Sequence, residues 1–306
     1  MISKPITASL LVVGTMAIWG VNISAVKVMT THFHPLLMSC LRMSIASVVI
    51  GVTVAVATDR PSLRKISASQ WLRLISCALL MVYGNQLLLS TGLESTSASN
   101  GAIIMALGPL VATLLAAAVF RERLTLFRIV GIVIGFGGVA AVVLSRPGAT
   151  LAAGGWGDLL VFGAMATFVA GGMLIQSLAR QFDTLFISSV IYILGSLFLA
   201  LHVALAPSVM VDTATLFPGL WPWLLLLFSA VVATAAGNMI WNQAIARLGA
   251  ARATLYQYWI PVFGVGFALL FLGEVPRIWH AVGLFAVLSG TYLGTRRPST
   301  PSRSIK

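Results

Sequence analysis

The chain has 306 residues, of which 59% are hydrophobic and only 8% charged, against about 25% charged in an ordinary soluble domain. With a mean hydropathy of +1.00, most of it must lie in surroundings as apolar as lipid tails, which excludes a cytosolic enzyme, a disulfide-knotted secreted protein and a disordered tail protein. A net charge of +12 would suggest nucleic acid in a soluble protein, but its distribution points to a lipid bilayer and to no nucleic acid.

A helix that crosses a bilayer needs about 20 mostly apolar residues, with a range of about 17–25. That ruler predicts ten spans, over residues 7–30, 35–57, 71–90, 98–119, 127–144, 157–179, 184–205, 220–243, 251–272 and 277–295. The connectors are short and hold most of the charges, as at Asp59, Arg60 and Pro61 or at Gly273, Glu274, Val275 and Pro276. The first run follows Lys4 and is longer than the apolar core of a signal peptide, and no small-residue cleavage pattern precedes His32 and His34. It is expected to stay as the first span. Cys40 and Cys77 sit inside apolar runs and read as reduced packing residues, not as a disulfide or zinc ligands. The fold class predicted is all-α integral membrane protein.

Lysines and arginines near span ends stay on the cytoplasmic side. With the N-terminus inside, fifteen of the 19 Lys and Arg fall on inner connectors and tails, among them Arg60, Arg64, Lys65, Arg121 and Arg123. Lys27, Arg146 and Arg277 fall outside, and Arg42 lies within a span. Both termini are therefore expected in the cytoplasm, with an even number of spans. The tail 297–306 is basic and rich in Ser and Pro, a cytoplasmic end suited to anionic lipid.

The chain repeats itself. Pro109, Glu122, Gly131 and Gly138 recur as Pro261, Glu274, Gly283 and Gly290, each 152 residues later. The earlier part of each half aligns more weakly at 149, pairing Trp19 with Phe168 and Lys27 with Gln176. Residues 1–150 and 151–296 are thus read as two five-span repeats. An odd number of spans inserts the second copy upside down, the plan of many secondary transporters, whose substrate site lies near the midplane between halves.

Polar and aromatic side chains at membrane depth are the candidates for that site. On the third span Tyr83, Gln86 and Ser90 share a helical face, and on the eighth Asn238, Trp241 and Asn242 do. At the 152 offset Gln86 pairs with Asn238 and Ser90 with Asn242. These amides could line a central site, or could hold helices together by hydrogen bonds. Tyr256, Trp259 and Phe263 share a face of the ninth span and are expected to stack on an apolar or aromatic substrate. Trp19 and Asn22 on the first span, with Phe168 and the glycines Gly171 and Gly172 on the sixth, are weaker candidates for the same cavity. Pro109 and Pro261 each remove a backbone hydrogen bond, freeing carbonyls near Met105 and Gln257; they are candidate kinks or hinges. Arg42 lies about 10 Å into its span at about 1.5 Å per residue, shallow enough to snorkel. It could attract a substrate carboxylate, but capping carbonyls of the first helix is the favoured reading. Lys27 and Arg42 are the cations nearest the outer half of the membrane, and Glu122 and Glu274 are read as structural, tying helix ends to arginines. The Gly131–Gly135 and Gly290–Gly294 spacings read as close helix packing. The four histidines have no metal-ligand spacing, and neither a metal nor a cofactor is expected.

The pattern from Pro109 through Glu122 to Gly131 and Gly138, repeated from Pro261 to Gly290, resembles the EamA-type drug/metabolite transporters. Arg42, following Pro35 in the second span, and Trp19 in the first also match. The second half departs in having Ile191 where an arginine equivalent to Arg42 would stand. The resemblance implies a ten-helix, inverted-repeat exporter of the bacterial inner membrane, and within the superfamily the chain looks most like the YddG-type amino-acid exporters. The small multidrug-resistance relatives carry a glutamate in their first span; this chain has no acid between Ile6 and Met29, which argues against a cationic-drug antiporter.

The function expected is secondary export of small metabolites, amino acids including aromatic ones first, by alternating access through a central cavity. A facilitator running on the substrate gradient fits the lack of a mid-membrane acid. The alternative is a proton-coupled multidrug or other metabolite exporter. Ten spans can enclose a path in one chain, so a functional monomer is expected. Transport is expected to depend on Gln86 and Trp259.

Overall fold

The computed structural model describes residues 5–57, 66–120, 125–144, 155–206, 218–275 and 277–295. Within them ten helices follow one another, and no strand occurs among the described residues. They are α1 (Pro5–Met29), α2 (Pro35–Ala57), α3 (Ala68–Ser95), α4 (98–120), α5 (Leu126–Leu144), α6 (Trp156–Leu178), α7 (Thr184–Leu205), α8 (Leu220–Leu248), α9 (250–272) and α10 (Ile278–Thr295). Eight are long and apolar enough to cross a membrane, and α5 and α10 hold the shorter apolar stretches Leu126–Val142 and Ile278–Gly290. Large apolar side chains remain on the outside, Leu270 at 78% exposure and Phe285 at 75%. Such a perimeter suits lipid and not water. The chain is a multi-pass, all-α membrane protein.

α3 and α8 run longer than the apolar pattern predicts, to 28 and 29 residues. Each contains a π-helical stretch, Ala78–Gly84 in α3 and Phe228–Ala236 in α8. The two stretches end 152 residues apart, at Gly84 and Ala236. A π-turn closes each hydrogen bond over one more residue than an α-turn and pushes the backbone outward. In α3 that bulge is seated on glycine: a Cβ on Gly171 of α6 would lie 2.7 Å from the Met81 Cβ. The start of α3 lies beyond its predicted edge because Ser67 and Gln70 form a reciprocal capping box there.

α4 and α9 are both interrupted before their prolines. α4 breaks at Ala106 and Leu107, between helical pieces Ala98–Met105 and Gly108–Phe120. Pro109 has no N–H to offer the Met105 carbonyl, and the turn tightens to three-residue bonds from Ala106 to Ile103 and Leu107 to Ile104. α9 changes to a 3₁₀ stretch over Thr254–Tyr258 before Pro261. The two interruptions touch, because the Gln257 side chain packs where a Cβ on Gly108 would stand.

α5 and α10 pack on each other through the repeated glycines. A Cβ on Gly138 would lie 2.5 Å from the Ala286 Cβ, and one on Gly290 would lie 2.5 Å from both the Gly131 oxygen and the Gly135 nitrogen. α1 and α9 meet similarly at Gly20 and Gly264. Without a hydrophobic force between helices in lipid, such close backbone contact supplies the packing energy. Gly273, at φ 61°, ends α9 in the left-handed conformation that favours glycine.

Candidate functional site

One cavity lies at the centre of the bundle, walled by α1, α2, α3, α4, α6, α8 and α9. It holds about 60 Å³ of room open to water, several times the roughly 10–15 Å³ that one water requires.

One wall is aromatic. Trp19 and Phe168, equivalent at the 149 offset, meet edge to face with ring centroids 5.6 Å apart. Trp241 of α8 closes the cluster, 5.5 Å from Trp19 and stacked on Phe168 at 6.0 Å. The Trp19 indole N–H donates to the Ala233 carbonyl at 2.9 Å, a group on the π-helical stretch of α8. Gly237 leaves the space, since a Cβ there would lie 2.8 Å from the Trp19 Nε1. Trp19 and Phe168 reach the cavity; Trp241, 1% exposed, backs them.

The polar lining is uncharged except at one point. Asn22, Asn85, Gln86, Thr234 and Asn238 contribute side chains. The Gln86 amide N–H donates to the Asn85 Oδ1 at 2.7 Å, and the Asn85 N–H donates in turn to the Ala164 carbonyl at 2.8 Å. These bonds fix which end of each amide is oxygen. The Asn238 N–H donates to the Thr234 carbonyl at 2.9 Å, and the Ser229 hydroxyl donates to the Asn22 Oδ1 at 2.5 Å. The Gln86 Oε1 and Asn238 Oδ1 are left buried without a partner, on the two positions that pair at the 152 offset.

The exception is Arg42. The favoured expectation had it reaching the membrane surface or capping α1. Instead it is 1% exposed and lines the cavity, with Nε and Nη1 unpartnered. The distance along the axis was short enough to snorkel, but neighbouring helices close over α2 at that level. No acidic side chain is among the described lining residues. An arginine at a helix centre costs about 2.5–3.5 kcal/mol on insertion scales, so this placement is energetically expensive.

Several expected site residues lie elsewhere. Tyr83 sits within the π-helical stretch and turns to α7, its hydroxyl 3.0 Å from the His202 Nδ1. Ser90 is fully buried against Ser39, hydroxyl to hydroxyl at 2.8 Å, and the Asn242 amide N–H donates to the Ser188 hydroxyl at 2.8 Å. Ser39 and Ser188 are 149 residues apart, so the same helix-joining bond occurs in both halves. Tyr256 is half-buried against the core and is absent from the cavity lining. Trp259 is 46% exposed and leans on Phe263, outside the cavity. Gly171 and Gly172 give room to Met81 and Ile245. The Lys27 Nζ donates to the Glu94 carbonyl at 3.1 Å, at the end of α3. Glu274 does tie down a helix end, but through backbone: its carboxylate oxygens accept from the N–H groups of Ala98 and Ser99 at 2.9 and 3.3 Å. Glu122 and the tail 297–306 lie outside the described residues.

Asn85, Ile23, Leu89, Ala233, Thr234 and Ile260 line the cavity without having been singled out from the sequence, and Met105, named there for its freed carbonyl, lines it too. Asn85 carried the signal, a second amide beside Gln86 at membrane depth. It was passed over because adjacent residues of a regular helix point about 100° apart.

The sequence profile of the EamA-like transporter family matches residues 6–144 and again 155–296. An uncharacterized transporter of Bacillus subtilis, YyaM, is 25% identical over 94% of this chain and 93% of its own. A probable terminal-alkyne amino-acid exporter of Streptantibioticus cattleyicolor is also 25% identical, over 99% of each chain. The uncharacterized inner membrane transporter YhbE of Escherichia coli is 24% identical over 92% of this chain and 88% of its own. A solved crystal structure superposes with a TM-score of 0.66 over 95% of this chain and 96% of its own at 16% identity, a likeness of fold alone. The two profile matches, with the apolar ten-helix bundle and its central cavity, make this chain a member of the EamA-like transporter family, a membrane transport protein and not an enzyme.

Proposed function

We propose that this protein exports amino acids, aromatic ones among them, across the bacterial inner membrane by alternating access through the central cavity. The observation that carries this reading is the composition of the cavity wall. A zwitterion with an apolar side chain needs hydrogen bonds at one end and an apolar surface at the other. Asn22, Asn85, Gln86 and Asn238 and the rings of Trp19 and Phe168 line the same cavity. The probable terminal-alkyne amino-acid exporter that is 25% identical over 99% of each chain favours an amino-acid substrate.

The lysine and arginine distribution supports cytoplasmic termini. The two halves are read as inverted five-helix repeats working as one monomer, with the interruptions before Pro109 and Pro261 as the flexing points. No acid lines the described cavity, which favours a facilitator running on the substrate gradient. Expression in cells that accumulate phenylalanine tests the reading. Faster appearance of phenylalanine in the medium, with no gain in resistance to cationic dyes, is the expected result. Dye resistance without amino-acid release would favour a multidrug exporter instead.

A further inference from the structure

We infer that Arg42 is the carboxylate anchor of the substrate site, and that Gln86 and Asn238 receive the α-ammonium group, so that the cavity selects free α-amino acids over their amides, esters and amines. The inference rests on the amino-acid reading above and specifies how that substrate is held. Arg42 is buried at 1% exposure on the cavity wall, and two of its three guanidinium nitrogens have no partner in the protein. A guanidinium offers donors in a planar fork that matches a carboxylate in two parallel bonds. A structural arginine at this depth would be expected to spend those donors on carbonyls or an acid.

The acceptors complete the pattern. The Gln86 Oε1 and Asn238 Oδ1 are buried on the same cavity and unpartnered, while their N–H ends are already bonded to Asn85 and Thr234. What they present is therefore carbonyl oxygen, which accepts from an ammonium and repels a carboxylate. The pairs are near-symmetric in the fold, but the cation is not: Ile191 stands where a second arginine would. One cation with two neutral acceptors fits one carboxylate and one ammonium, and Trp19 and Phe168 on the same cavity offer the side chain an apolar surface.

The test is counterflow of labelled phenylalanine in liposomes containing only the full-length protein, with unlabelled competitors outside at equal concentration. Phenylalanine should compete at least tenfold better than phenylalaninamide, phenylalanine methyl ester or phenethylamine, and 3-phenylpropionate should fall between. Arg42→Gln should lose at least tenfold in apparent affinity, with Arg42→Lys recovering part of it. Because Arg42→Gln could fail to fold, the wild-type competition series decides. Equal competition by the amide and ester overturns the anchor while amino-acid transport stands. No accumulation of any labelled amino acid by correctly folded protein overturns the transport reading and the anchor together.

Discussion

Glu274, in the connector after α9, accepts a hydrogen bond from the backbone N–H of Ala98 at 2.9 Å, across 176 positions of sequence. The first N–H groups of any helix lack partners inside it, and a carboxylate there also complements the helix dipole. One half of the chain thereby closes the start of a helix in the other. Glu274→Ala should lower stability by about 0.5–2 kcal/mol, read as an earlier thermal unfolding transition in detergent. Glu274→Gln keeps an acceptor and should lose less. Equal stability of Glu274→Ala and wild type would mean the cap contributes nothing.

The bonds Ser39–Ser90 and Ser188–Asn242 join α2 to α3 and α7 to α8 in equivalent places. None of the four residues lines the cavity, and their bonds join neighbouring helices. A double-mutant cycle on Ser188→Ala and Asn242→Ala should give a coupling of about 0.6 kcal/mol, with about 1.7 as the upper range for such bonds. Transport rates of the Asn242→Ala variant should stay within about twofold of wild type, a small fraction of the 1.4 kcal/mol that a tenfold change represents. A larger loss would return Asn242 to the site.

Two of the three tryptophans expected at the central site, Trp19 and Trp259, separate in the structure. Trp19 lines the cavity and is held by Ala233, whereas Trp259 is 46% exposed on the perimeter. Trp19→Ala should abolish saturable phenylalanine transport, and Trp259→Ala should leave it near wild type. The opposite ranking in the same liposome assay would put the substrate path against α9.

What sequence showed and what it hid divide along one physical line. Spans are visible because lipid demands about 20 apolar residues in a row, and the repeat is visible because its prolines and glycines are backbone requirements. Gly131, Gly135 and Gly290 were legible as close packing for that reason. Side-chain direction is harder. The face shared by Tyr83 and Gln86 assumes regular α-helix, and the π-helical stretch over Ala78–Gly84 breaks that register. It sends Tyr83 to His202 and leaves both Asn85 and Gln86 on the cavity. Arg42 was misjudged because depth along the helix says nothing of what packs beside it. Trp259 stands outside the cavity lining because an aromatic face can meet lipid as readily as a cavity.

Gly290 and Gly137 offer a paired check on the packing of α5 and α10. A Cβ on Gly290 would lie 2.5 Å from backbone atoms of α5, whereas one on Gly137 meets nothing within 4 Å. Gly290→Ala should destabilise by about 1–3 kcal/mol as an overpacked contact. Gly137→Ala should be neutral or slightly stabilising, since alanine is the better helix former. Thermal unfolding of the two purified variants beside wild type measures the difference, and equal midpoints would remove this contact from the packing account.

The most direct measurement is counterflow in liposomes that contain this protein alone, preloaded with unlabelled phenylalanine and given a trace of labelled phenylalanine outside, with no ion gradient. Labelled phenylalanine should accumulate above the level of protein-free liposomes, and Trp19→Ala and Gln86→Ala should each reduce the initial rate at least tenfold. No accumulation by folded wild-type protein, or undiminished accumulation by both variants, would contradict amino-acid transport through this cavity.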